Sequence, residues 1–147
     1  MRMHKALAAA ALVAGTVAVN SCGIIGTVDF EVLFRPTGAP CAATCDAAAV
    51  SSIKFTFFDQ ALDNLVRTEV QRQCVPGERY KVSIDLGPYN IRTQGLNGSL
   101  TVCYETNQLI QVQGGKTDQF TIRADQHAMG AAGGCTYPQV APGPNCR

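Results

Sequence analysis

The 147-residue sequence has no tryptophan, two histidines, 7% aromatic residues and 16% charged residues. Each shortage removes a class of function. His4 lies in the first five residues, so the remainder of the chain has His127 alone. A histidine-based triad on a nucleophile elbow is unsupported, because no Gly-x-Ser-x-Gly occurs. No His-Glu-x-x-His is present to hold zinc. His127 reads as an exposed loop histidine. There is no basic cluster and the formal net charge is +1, which gives no support for nucleic-acid binding. No uncharged apolar run reaches the roughly 20 residues that a membrane-spanning helix needs.

What is present begins at the N-terminus. Arg2 and Lys5 precede an uncharged stretch, 6–19, made mostly of alanine and valine. A positive start followed by a short apolar run is the pattern of a removable secretory signal. The run ends in Val19-Asn20-Ser21-Cys22. These residues resemble the lipobox of bacterial lipoproteins at Val19, Ser21 and Cys22, with Asn20 departing from its small residue. The resemblance implies cleavage after residue 21 and diacylglycerol on the Cys22 thiol. It also implies an acylated amine, with palmitate as the expected chain. Gly23 is not the Asp that commonly retains such proteins in an inner membrane, so the resemblance implies the outer membrane of a bacterial envelope. Two or more acyl chains hold a protein stably, each buried CH₂ contributing about 0.8 kcal/mol.

Cysteine counting points to the same residue. The seven cysteines are Cys22, Cys41, Cys45, Cys74, Cys103, Cys135 and Cys146. An odd cysteine in an exported chain needs an explanation. Lipidation of Cys22 leaves six disulfide candidates, in keeping with an oxidising compartment. Loss of Arg2 and Lys5 with the signal leaves 10 basic against 11 acidic residues in a 126-residue mature chain, one domain by length. No stretch reads as an amphipathic membrane helix, so the lipid is expected to be the whole membrane contact.

Beyond a short tether, 22–27, a domain is expected over 28–125. Val28, Phe30, Val32 and Phe34 alternate with Asp29 and Glu31, the period of a half-buried strand. The same period marks 52–58. It recurs over 65–74, with Val66 and Val70 inward, and over 79–86, with Tyr80, Val82, Ile84 and Leu86 on one face. Asn97-Gly98 is a hairpin signal of type I′. It separates 89–96 from 100–105. Gly114-Gly115 separates 109–113 from 119–124 in a second hairpin. Seven or eight short strands with almost no helical pattern mean an all-β, antiparallel sandwich or barrel.

Leu86-Gly-Pro-Tyr89 with Ile91, followed by Val112-Gln-Gly-Gly115-Lys-Thr117 with Phe120 and Ile122, resembles transthyretin-like and carboxypeptidase-regulatory-like modules. The resemblance covers 80–124 and implies a seven-stranded Ig-like sandwich. It implies no enzyme activity, since a fold does not fix a function. The remainder, 126–147, is rich in Gly, Ala and Pro, and Cys135 and Cys146 argue that part of it is stapled down.

The expected disulfide is Cys45–Cys74. In an antiparallel hairpin turning at 59–64, Cys74 falls opposite residue 49, one loop turn from Cys45. Cys41 could take the same role. Local pairing of Cys135 with Cys146 would then leave Cys41 for Cys103. Cys41-Ala-Ala-Thr-Cys45 lacks the C-x-x-C spacing of a redox motif.

Other candidates are thin. Asp59, Asp63 and Asn64 share a turn, but Ca²⁺ takes about 6–8 oxygen ligands, and these are ordinary turn residues. Tyr80, Tyr89 and Tyr104 could stack on a sugar, although alternation assigns Tyr80 to a core face. Asp85 and Glu105 are carboxylates of unknown separation. The expectation is therefore a disulfide-stapled, lipid-anchored envelope protein with no catalytic residue, metal or cofactor. Its role would be structural or protein-binding, with an envelope protein or glycan as partner. A carbohydrate- or small-ligand-binding module comes second and a hydrolytic enzyme third.

Overall fold

The computed structural model describes residues 24–36 and 42–137. The expected signal, Cys22, Cys41 and Cys146 lie outside these residues. The described chain is all-β, with seven strands: β1 (Ile25–Arg35), β2 (Ser52–Asp59), β3 (Leu65–Gln73), β4 (Arg79–Asp85), β5 (Gly87–Leu96), β6 (Val102–Val112) and β7 (Thr117–Gln126). A single 3₁₀ turn, Gln60–Leu62, joins β2 to β3. No helix among the described residues is long and apolar enough to cross a membrane.

The strands form one sheet in the order β3-β2-β5-β6-β7-β1-β4. It is mixed, which corrects the expectation of a purely antiparallel sheet. β1 and β7 pair in parallel from Thr27↔Thr117 to Arg35↔Asp125. The reason lies at the turns: β1 enters at the same end of the sheet at which the 113–116 turn releases β7, so both run the same way. β6 and β7 pair only at Tyr104↔Gln126 and Glu105↔Asp125. The Gly114-Gly115 turn therefore hands the chain from β6 to a new neighbour, β1, instead of closing an extended hairpin ladder.

The sheet curls until its edge strands face each other. Arg67 on β3 reaches Asp85 on β4 at 2.7 Å, and the rings of Phe55 (β2) and Tyr80 (β4) lie 5.9 Å apart. Inside sits one apolar core. Alternation supplies Val28, Phe30, Val32 and Phe34 from β1, Ile53, Phe55 and Phe57 from β2, and Tyr80, Val82 and Ile84 from β4. Phe30 stacks on Phe55 at 5.1 Å and meets Phe57 and Phe120 at 6.1 and 5.9 Å. Such aromatic pairs contribute about 0.5–1.5 kcal/mol each beyond area burial.

Four local expectations are corrected. Val66 is exposed, not inward. Phe57 faces Thr68 while Phe58 faces Val66, so Arg67 is the extra residue of a bulge that reverses the phase of β3. Leu86 lies past the end of β4 and is 36% exposed. The two strands expected at 100–105 and 109–113 are one continuous strand, β6, over Val102–Val112. At Asn97-Gly98 a reversal is present, but the residue at positive φ is Leu100, at 61°. Asn97 Oδ1 accepts from the backbone N–H of Ser99 and Thr101, both at 3.0 Å, and sets a wider turn than type I′.

The strands share two ends. One, called the anchor end only because the expected lipidation site Cys22 precedes it in sequence, holds the start of β1 and the turns at 60–64, 86 and 113–116. The far end holds the described segments 42–51, 74–78, 97–101 and 127–137.

Candidate functional site

Both disulfides among the described residues lie at the far end. Cys45 is bonded to Cys74 with Cα atoms 5.7 Å apart, the expected pair. The hairpin register carries it: Ser52 faces Gln73, and Cys74 N–H donates to Ser51 O at 2.9 Å. The bulge and a turn one residue shorter than expected, 60–64, move the opposing residue from 49 to 51. Cys103 is bonded to Cys135, with Cα atoms 5.6 Å apart. This corrects both remaining pairings, Cys135–Cys146 and Cys41–Cys103. The cause is the compact turn after β7. Gly130 N–H donates to His127 O at 3.0 Å, and Cys135 N–H donates to Gly130 O at 2.9 Å. The glycine-rich turn thus folds Cys135 back beside the start of β6.

The three tyrosines form no platform. Tyr80, Tyr89 and Tyr104 are at most 5% exposed and serve the core. Burial holds the hydroxyls of Tyr80 and Tyr89 above their usual pKa. That of Tyr104 is pushed up to about 12 by burial, with Tyr137 adding to the effect. Tyr104 O–H has no partner among the described residues, whereas Tyr137 O–H reaches the carbonyls of Cys103 and His127 at 3.1 and 3.3 Å. His127 is half-buried with its Nδ1 enclosed, and is not the exposed loop residue expected.

The acidic candidates are also separated. Asp59 Oδ1 accepts from Ala61 N–H at 2.9 Å and caps the 3₁₀ turn, while its Oδ2 lies 3.6 Å from Arg67. Asp63 and Asn64 take positive φ and complete the turn. Among the described residues no three His, Cys, Asp or Glu groups gather to hold a metal. Asp85 is bound to Arg67 at the anchor end, and Glu105 accepts from Gln94 at 2.6 Å on β6. They have separate partners on non-adjacent strands and do not form a carboxylate pair.

Sequence reasoning missed the most site-like feature. An open groove of about 300 Å³ lies where the end of β3 faces the start of β4, lined by Arg72, Gln73, Val75, Glu78, Arg79, Tyr80 and Lys81. Three cations thus stand against one carboxylate. Arg79 is committed: its Nε holds the 4%-exposed Asp29 at 3.0 Å, and its Nη2 donates to Asp29 O at 3.1 Å. Arg72 donates only to the neighbouring carbonyl of Gln71, at 3.3 Å. No ion pair engages Arg72 or Lys81 among the described residues. β3 and β4 are the sheet edges, so each carries backbone groups without a strand partner on its outer side. No linear motif announces this groove, although the 74–78 connection alone brings 72–73 and 79–81 together.

Comparison with known proteins adds little. No protein-family model matches the sequence, and no curated protein matches it. Among solved structures, the chain is similar to a leucine-rich repeat protein from Bacteroides thetaiotaomicron, with TM-score 0.48 and 12% identity over 69% of this chain and 12% of that one. It is also similar to GBS52, the minor pilin of Streptococcus agalactiae, with TM-score 0.45 and 11% identity over 82% of this chain and 49% of the pilin. The chain thus spans about an eighth and about half of those proteins.

Proposed function

We propose that this chain is a lipid-anchored, non-catalytic protein of a bacterial envelope, held by Cys22 in the outer membrane. In this reading its domain is a transthyretin-like sandwich that binds an acidic segment of an envelope protein. The observation that carries the binding role is the groove at the far end, where Arg72 and Lys81 have no ion-pair partner among the described residues. Unpaired cations beside free strand edges suit an extended acidic peptide. Main-chain bonds to an edge strand would give affinity and the charges would give register. Asp29 and Arg79 would fix the floor.

The test has two arms. Cys22→Ala should release the protein from the membrane fraction in detergent-phase partitioning, and unchanged partitioning would overturn the anchor. Arg72→Glu with Lys81→Glu should leave partitioning unchanged but abolish crosslinking to the envelope partner that the native protein captures. Capture should also weaken with added salt. Identical crosslinks in the charge-reversed protein would overturn the groove. Binding of a neutral glycan that the reversal does not affect would instead favour the small-ligand reading.

A further inference from the structure

Six of the ten large apolar side chains exposed among the described residues sit at the anchor end: Ile24, Ile25, Leu62, Leu65, Val66 and Leu86. Contacts and register bring them together. Leu86 N–H donates to Ile24 O at 3.1 Å. A methyl group placed on Gly114 would lie 3.2 Å from Leu86 and 3.6 Å from Ile24, so these side chains share the 113–116 turn. Ile25 pairs with Asp85, and Asp85 receives Arg67 at 2.7 Å, which brings Leu65 and Val66 alongside. Leu62 sits on the adjoining 3₁₀ turn.

We propose that this end is itself a membrane-contact surface, seated in the headgroup region of a phospholipid bilayer. The proposal rests on the lipidation of Cys22 and deepens that reading. It revises the expectation that the lipid is the whole membrane contact. The argument for a bilayer as occupant is distance. Cys22 lies two residues before Ile24. At about 3.3–3.6 Å per residue, its Cα is within roughly 7 Å of that of Ile24. β1 begins at Ile25, so 25–27 are strand and add no slack. An acylated Cys22 therefore holds these side chains against the bilayer surface. An amphipathic surface enters such an interface by about 5–10 Å, which suits protruding Leu, Ile and Val.

Charge at this end sets the lipid preference. Asp59, Asp63, Asp85 and Asp118 face Arg67 and Lys116. Arg67 is paired with Asp59 and Asp85, and Lys116 with Asp118 at 3.4 Å. The excess is acidic, so contact is apolar and gains nothing from anionic lipid.

The absence of tryptophan makes the test direct. Leu65→Trp places a reporter at the anchor end and Met129→Trp places one at the far end, at sites 61% and 68% exposed. Leu62→Trp is a second anchor-end reporter should Leu65→Trp misfold by circular dichroism. The lipidated proteins are reconstituted in brominated phosphatidylcholine vesicles, with and without phosphatidylglycerol, and the mass of Cys22 is measured. The expected result is roughly threefold stronger quenching at 65 than at 129, unaltered by phosphatidylglycerol. With Cys22 acylated, equal quenching at both sites, or none, overturns this inference and leaves the lipoprotein reading standing. Quenching that depends on phosphatidylglycerol overturns the apolar contact. Concentration-dependent shielding of the 65 reporter without vesicles assigns the surface to a second copy and overturns it too. An unmodified Cys22 overturns the premise, and the mass spectrum distinguishes that failure from the others.

Discussion

The two ends of this sheet solve the same problem differently. At the anchor end, strands reverse through short turns at 60–64, 86 and 113–116. No disulfide among the described residues reinforces them, and apolar side chains project outward. At the far end, the longer described segments 42–51, 74–78 and 127–137 hold Cys45, Cys74 and Cys135 of the two disulfides and enclose Tyr104 and His127. Ordering a residue costs about 1–2 kcal/mol of backbone entropy, so long loops need constraints that tight turns do not. The difference also separates roles. Projecting leucines and isoleucines at the anchor end are not required for closure, so they are available for contact. The far end places Arg72 and Lys81, which form no ion pair among the described residues, beside a stapled loop, as the proposed binding role requires.

The sharpest way to break this comparison is to remove a staple. Replacing Cys45 and Cys74 together by Ala opens a loop closed over a sequence separation of 29. Loop entropy for that length amounts to about 3–4 kcal/mol. Urea denaturation should show a loss of that order, together with protease cleavage confined first to 36–51 and 74–78. Serine at Leu62, Leu65 and Val66 should cost under about 0.5 kcal/mol, as exposed sites away from packed features do. A similar loss from both changes would mean that the ends are not built on different principles.

A smaller effect is expected where the far end packs most tightly. A Cβ added at Gly95 would lie 2.6 Å from a ring carbon of Phe34 and 3.3 Å from Val50. The Phe34 ring is pinned against Tyr104 at 5.1 Å and its backbone is bridged to Ala43. It cannot yield cheaply, so Gly95→Ala should destabilise by about 1–3 kcal/mol, as overpacking does. Gly115→Ala at the anchor end meets no atom within 4 Å, and its cost comes only from a φ of 81°. Chemical denaturation of the two variants compares steric with conformational cost directly.

These particulars also show what was legible beforehand. The inward stripes of β1, β2 and β4 could be read from alternation, because apolar side chains recur there at every second position, although Asp29, Leu33 and Thr56 are also buried on the other face. Cys45–Cys74 was legible because a hairpin is local and its register follows from its turn. The phase of Val66 was not, because one bulged residue at Arg67 inverts every position on one side of it. β6 was divided in two because Thr106-Asn107-Gln108 interrupts its apolar pattern where that strand faces solvent. The β1–β7 pairing and Cys103–Cys135 join residues 90 and 32 positions apart, and no local pattern encodes such meetings.

The smallest expected effect concerns the buried hydroxyl of the far end. Tyr104 is fully buried, its O–H lacks a partner among the described residues, and its pKa is pushed up to about 12 by burial. In the unfolded chain a tyrosine ionises near 10. The folded state therefore keeps its proton to higher pH than the unfolded state, which releases it first. The contribution of Tyr104 to stability is intact below pH 10 and is lost progressively as pH rises from about 10 to 12. Two units correspond to about 2.7 kcal/mol at most, and relaxation around the ring will reduce that. Tyr80, Tyr89 and Tyr137 shift in the same direction and share the alkaline loss. Tyr104→Phe removes an unpartnered polar atom while keeping the ring between Phe34 and Tyr137. At pH 7 the substitution should change stability by less than about 0.5 kcal/mol, or raise it, because an unsatisfied buried group is lost. Above pH 10 the variant should outlast the native protein. Parallel urea titrations at pH 7 and pH 11 measure both, and a variant that weakens at pH 7 while losing stability equally in alkali would show that the Tyr104 hydroxyl is held by a hydrogen bond.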